Sequence, residues 1–129
     1  MLQYDGELTP ERIVDYIDHH FAQPIAPRDV AAAMHYSLCH LTHVARKSLG
    51  ASIGDLILAR RIFAAQQLLA ESVLPVALVA QAVGFTDTAY FSRRFSRATG
   101  ASPSRWRKIH ENTRAHRRCH ACGTPIYRM

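Results

Sequence analysis

Two stretches of this 129-residue chain carry polar and basic side chains at spacings that suit recognition rather than catalysis. In the first, Leu38, Cys39, Thr42, His43 and Arg46 fall on one outward side if the segment is helical. In the second, Thr88, Ala89, Ser92, Arg93 and Arg97 do the same, with Arg94 beside them. Such faces combine hydroxyl and imidazole groups, small apolar groups and guanidinium forks, the set that reads base edges and holds phosphates. Arg93 suits bidentate pairing with guanine, Thr42 and His43 could hydrogen-bond base edges, Leu38, Cys39, Thr88 and Ala89 could meet a thymine methyl, and Ser92 lies on the same outward face. Arg46, Arg94 and Arg97 suit phosphate neutralisation.

A third cluster, His116-x-x-Cys119-His120-x-Cys122-Gly123, looks like one knuckle of a zinc ribbon. Zinc ordinarily takes four ligands from two such segments, and no second cysteine pair exists here. Cys119, Cys122 and His116 are therefore weak metal candidates, and the expectation is no cofactor, with zinc or a redox response of this tail as the alternative. No paired carboxylates, phosphate loop or nucleophile motif is present, so no enzyme is expected. Tyr90, Phe91, Phe95 and Trp106 could form a stacking platform for single strands, but their helical spacing assigns them to a core. Arg61 is read as structural, bridging two subdomains.

The elements that must position these residues read as helices throughout, with no alternating strand. Thr9 and Pro10 open an amphipathic helix over 10–22, which Pro24 ends. Pro27 opens a short helix to Met34. Ser37 caps a third helix over about 38–48, which Gly50 ends. Ser52 caps a long helix running to about Ser72, roughly 30 Å in length. Pro75 begins a short helix ending at Gly84, Asp87 caps a helix over 88–99, and Pro103 starts a last one to about Glu111. The order of short helix, tight turn, longer helix and glycine thus occurs twice, offset by about 50 residues, an internal repeat of helix-turn-helix type. The expectation is an all-α fold of about seven helices. Residues 8–50 and 74–112 form homeodomain-like three-helix units, 51–73 a linker helix and 113–129 a flexible basic tail.

Charge is unevenly spread. Residues 1–26 hold five acids and one base, whereas residues 104–129 hold seven bases and one acid, and the whole chain carries +6. A polyanionic partner is implied, with the acidic N-terminal segment turned away from it. No apolar run approaches the roughly 20 residues needed to cross a bilayer, and residues 1–12 lack the pattern of a signal peptide. A cytoplasmic, nucleoid-associated location is expected, with no membrane partner.

The second repeat resembles the DNA-binding domain of the AraC/XylS family of bacterial regulators. The resemblance rests on Gly84-Phe85-x-Asp87-x-x-Tyr90-Phe91-x-Arg93-x-Phe95 and Gly100-x-Ser102-Pro103-x-x-Trp106-Arg107. The first repeat matches through Asp29-Val30-Ala31, Ser37-x-x-His40-Leu41 and Gly50-x-Ser52, and the central helix through Arg61-Ile62-x-x-Ala65-x-x-Leu68-Leu69. Two departures stand out: His43 replaces the family's usual Arg and Ala45 its usual Phe, which weakens base readout and core packing in the first unit. The resemblance implies a sequence-specific regulator of transcription, an activator, that inserts helices 38–48 and 88–99 into successive major grooves of duplex DNA. A monomer would suffice on DNA, and RNA polymerase or an effector domain would be a further partner.

Overall fold

The computed structural model describes residues 8–120, and all its regular elements are helices. They are α1 (Pro10–His20), α2 (Pro27–Met34), α3 (Leu38–Val44), α4 (Ile53–Glu71), α5 (Val76–Ala82), α6 (Thr88–Thr99) and α7 (Pro103–His120). Among the described residues there is no strand, and no helix is long and apolar enough to cross a membrane. The chain divides into two compact units, Met1–Arg61 and Ile62–Met129, the division falling inside α4.

The helix starts follow from their caps. Thr9 Oγ1 accepts the Arg12 amide at 3.3 Å, Ser37 Oγ the His40 amide at 3.1 Å, and Ser52 Oγ the Asp55 amide at 3.1 Å. Asp87 accepts the amides of Ala89 and Tyr90 at 2.9 and 3.4 Å, and Asp29 reaches back to the Ala26 amide at 2.7 Å. Each bond satisfies a donor that the first helical turn leaves open. Gly50 (φ 71°) and Gly100 (φ 85°) take the left-handed conformation that closes a helix without a Cβ penalty.

The first unit packs Ile13, Ile17, Val30, Ala31, Met34, Leu41, Ala45, Ile53 and Ile57 into one buried cluster. Polar ties add to it. Arg60 Nε donates to Asp18 at 2.9 Å with its guanidinium 4.4 Å from the Phe21 ring centroid. Arg61 donates to the carbonyls of Phe21 and Gln23 at 2.7 and 2.9 Å. Arg61 therefore fastens α4 to the α1–α2 connection within the first unit.

In the second unit Ile62, Ala65, Leu69, Val79, Ala80, Val83, Phe85, Phe91 and Phe95 are buried. A run of ring contacts links Phe85 to Phe91 (5.0 Å), Phe91 to Phe95 (5.6 Å) and Phe95 to the edge of Trp106 (6.0 Å). Arg107 Nε donates to the Leu69 carbonyl at 3.1 Å, securing α7 to the end of α4.

Three differences from the sequence expectation are physical. The third helix is not a uniform α-helix over 38–48: after Val44 it opens into a π-helical turn, Ala45–Leu49. That turn begins at the buried Ala45, which stands 50 residues before Phe95. The last helix continues past Glu111 to His120. Tyr90, assigned to the core by its spacing, is exposed, because it sits about 100° around α6 from the inward line of Phe91 and Phe95.

Candidate nucleic-acid interface

Each unit contains a short helix, a tight turn and a second helix whose outer face is presented. In the first, α2 ends with His35 in the left-handed conformation (φ 64°), and the Tyr36 amide donates back to the Ala31 carbonyl at 3.0 Å. In the second, Gly84 (φ 105°) occupies the corresponding place and the Phe85 amide donates to the Ala80 carbonyl at 2.9 Å. The backbone bonds are the same, so the two turns redirect the chain in the same way. The second turn is one residue longer, and from the caps Ser37 and Asp87 onward the repeats keep a fixed offset of 50 residues.

That offset aligns the outward faces. Leu38 corresponds to Thr88, Cys39 to Ala89, Thr42 to Ser92, His43 to Arg93 and Lys47 to Arg97. Leu38 (44% exposed), Cys39, His43 and Arg46 are exposed on α3 and the turn after it, with Thr42 half-buried. On α6 Thr88, Ala89, Arg93 and Arg97 are exposed, with Ser92 and Arg94 half-buried. The structure therefore leaves most of the predicted face residues exposed, with Thr42, Ser92 and Arg94 on the half-buried flanks, while Leu41, Ala45, Phe91 and Phe95 fix the inner side. Arg93 has its guanidinium carbon 5.8 Å from the centroid of the Tyr90 ring, a cation–π contact one helical turn away that restrains an otherwise mobile side chain.

Sequence reasoning missed the ring at the third position of each helix. Tyr90 is 41% exposed, and its counterpart His40 is exposed too. The fixed offset held the signal: it pairs Tyr90 with a polar residue, which a core position would not tolerate without a partner.

Among the described residues no group of three His, Cys, Asp or Glu side chains could hold a metal ion. Of the tail candidates, His116 and Cys119 fall within the span of α7, and Cys122 lies outside the described residues. The exposed Cys39 is a free thiol.

Comparison with known proteins places this geometry. A family model described as a helix-turn-helix domain matches residues 30–109, more than half of the chain. The arabinose operon regulatory protein of Escherichia coli is 41% identical over 95 residues, covering 71% of this chain and 32% of that protein. The Msm operon regulatory protein of Streptococcus mutans is 33% identical over 96 residues, covering 74% and 34%. The chain thus spans about a third of the length of the curated relatives it matches.

Among solved structures, the C-terminal domain of AraT, a response regulator from Geobacillus stearothermophilus, superposes with a TM-score of 0.75 at 32% identity, covering 81% of this chain and 88% of that one. The DNA-binding domain of AdpA, solved with a target DNA, gives a TM-score of 0.77 at 24% identity, covering 84% and 98%, a likeness of fold. These are regulator domains and not enzymes. With two equivalent turns, two presented helices and a signature running from Val30 to Ile109, the chain belongs to the AraC/XylS family of DNA-binding transcription regulators.

Proposed function

We propose that this domain recognises specific duplex DNA by seating α3 and α6 in successive major grooves, one monomer supplying both readers. The observation that carries the reading is the paired outer face. Positions related by one fixed offset are presented in both units, and in both they carry base-reading side chains beside phosphate-seeking ones. A recognition helix of this kind contacts base edges with its N-terminal residues. These are Leu38, Cys39, Thr42 and His43 in the first unit, and Thr88, Ala89, Ser92 and Arg93 in the second. Arg46, Arg94 and Arg97 hold phosphates. Arg93 is the principal base reader, because a guanidinium fork matches the O6 and N7 acceptors of guanine, and the Tyr90 ring already restrains it.

The regulated outcome is activation, and this needs a protein partner such as RNA polymerase or an effector domain. The relative AdaA of Bacillus subtilis, 28% identical over 97 residues, carries the name of a bifunctional transcriptional activator and DNA repair enzyme. This role places the protein on the chromosome in the cytoplasm.

Selection of bound sites from a random duplex pool tests the reading. The expected product is a bipartite motif, two short conserved blocks separated by about one helical turn, around 10 bp centre to centre. A pool that yields a single block would remove one unit from base reading. No enrichment, with equal retention of all duplexes, would overturn sequence recognition.

A further inference from the structure

In the packing and base reading described above, the ring that stands third in each recognition helix serves only to restrain Arg93, and only in the second unit; its polar edge has no role there. Both rings share one construction. Tyr90 lies against Phe85 of the preceding turn, with ring centroids 6.0 Å apart and planes inclined by 58°. His40 lies against Tyr36 of its own turn at 5.5 Å and 41°. Phe85 and Tyr36 are themselves equivalent, each donating its amide to the corresponding α2 or α5 carbonyl. Phe85 is buried among the core rings, whereas Tyr36 is fixed by Arg12, whose Nη1 donates to its hydroxyl at 3.4 Å. Each unit thus seats a ring with a polar edge on an aromatic base, leaves it exposed, and does so on the first turn of the helix that faces DNA.

An aromatic body with a polar tip, held at one end and hydrated at the other, is the form that interface tyrosines take. At the edge of a major-groove helix the nearest acceptors are phosphodiester oxygens, and tyrosine is among the side chains that donate to them. The surroundings match an anion. The Arg93 guanidinium lies 5.8 Å from the centroid of the Tyr90 ring and places a positive charge beside it. Asp87, the nearby carboxylate, is engaged by the amides of Ala89 and Tyr90.

We infer that Tyr90 and His40 are phosphate-contacting residues, one per unit, whose ring donors bind DNA phosphodiester oxygens and set the depth and register of each recognition helix. This rests on the proposed DNA reading and adds to it two contacts without sequence preference.

The test uses the full chain, a duplex selected by the wild type, and a random-sequence duplex of equal length, with affinities read by fluorescence anisotropy. Tyr90→Phe keeps the ring and its contacts with Phe85 and Arg93 and removes one hydroxyl. It should weaken binding to both duplexes by the same factor, about tenfold, the size expected for a hydrogen bond to a charged group. His40→Phe should do the same in the first unit, with melting temperatures of both variants equal to that of the wild type.

A second readout is independent of folding. Scanning the selected duplex with single methylphosphonates should locate one phosphate whose neutralisation weakens the wild type but leaves Tyr90→Phe unchanged. Wild-type affinity in Tyr90→Phe on both duplexes overturns the inference, and so does a loss confined to the selected duplex, which would mark a base contact. If the wild type itself binds no duplex at low salt, the DNA reading falls together with the inference.

Discussion

The two helix-turn-helix units solve one backbone problem with different side chains. In the second, the left-handed position after the short helix is Gly84, the next residue is the buried Phe85, and Phe95 fills the core from the middle of an unbroken 12-residue helix. In the first, the same positions are His35, the half-buried Tyr36 and Ala45, and α3 has seven residues before its π-helical turn. Yet the amide-to-carbonyl bonds that shape the two turns agree within 0.1 Å. Caps and turn bonds therefore fix the geometry of presentation, whereas core volume and outward charge vary around them. On the proposed DNA reading the difference predicts unequal work: the second unit has a ring-filled core and a permanent cation at Arg93, and the first has the Ala45 methyl and the His43 imidazole at those places.

The largest test of this contrast is in the cores. Phe95 is completely buried and touches both Phe91 and Trp106. Phe95→Ala should cost about 3–5 kcal/mol. The sole tryptophan sits at the edge of this ring, so urea unfolding followed by Trp106 fluorescence reads the loss in the second unit directly. The reverse change, Ala45→Phe, should not repair the first unit. Ala45 has no exposed surface, and a ring forced into that place should cost about 1–3 kcal/mol by overpacking. A more stable Ala45→Phe protein would show that a void had been left in the first core.

Next in size is the contrast in base reading. Arg93→Ala should cost about 1–3 kcal/mol on a selected site and relax preference at one base pair. Equal losses on selected and random duplexes would reduce Arg93 to a phosphate clamp. His43→Ala, at the equivalent place in α3, should cost less than Arg93→Ala, since an imidazole cannot make the bidentate pair. If the two losses match on the selected duplex, the units are equal readers and the contrast fails.

Much of this was legible in the sequence because it depends on local chemistry. Thr9, Ser37, Ser52 and Asp87 announce helix starts through their side-chain oxygens, and Gly50 and Gly100 announce ends through their backbone freedom. The outward faces followed from the same periodicity. What escaped has physical causes too. Apolar periodicity stops at Ile109, so the last helix looked finished. Nothing from 112 to 120 breaks a helix, however, and the next glycine is Gly123. The π-helical turn leaves the polar–apolar pattern intact, and a pattern cannot report a change in hydrogen-bond register. Tyr90 was misplaced because spacing alone does not separate a residue on the inward line from one beside it.

The turn itself yields a smaller and oppositely signed pair of effects. His35 is the described non-glycine residue with positive φ, a conformation that costs a side chain roughly 1–2 kcal/mol. His35→Gly should stabilise the first unit by about 1 kcal/mol, less the entropy that glycine regains on unfolding. Gly84→Ala should destabilise the second by a comparable amount. Thermal unfolding of the two variants decides the point. A destabilised His35→Gly protein would mean that the imidazole makes contacts worth more than the strain.

The smallest difference concerns pH. His19 Nδ1 lies 2.8 Å from the Asp15 carbonyl and 3.6 Å from its carboxylate. The carbonyl bond first, and the Asp15 charge second, raise the imidazole above its ordinary value of 6.5. Among the described residues the second unit has no such histidine–carboxylate pair; its His110 stacks on Trp106 instead. A group whose folded value is raised adds stability that is fully present below the unfolded value and fades as pH rises through the folded one. The wild type should therefore lose a little urea resistance between pH 5.5 and 7.5, and His19→Gln should lose less. Asp15→Asn removes the weaker cause and keeps the carbonyl, so its pH response should fall between the two. The pair is fully solvated, so the effect is at the low end for ion pairs and shrinks with added salt. An identical pH response in wild type and His19→Gln would exclude the pair as a source of the asymmetry between the units.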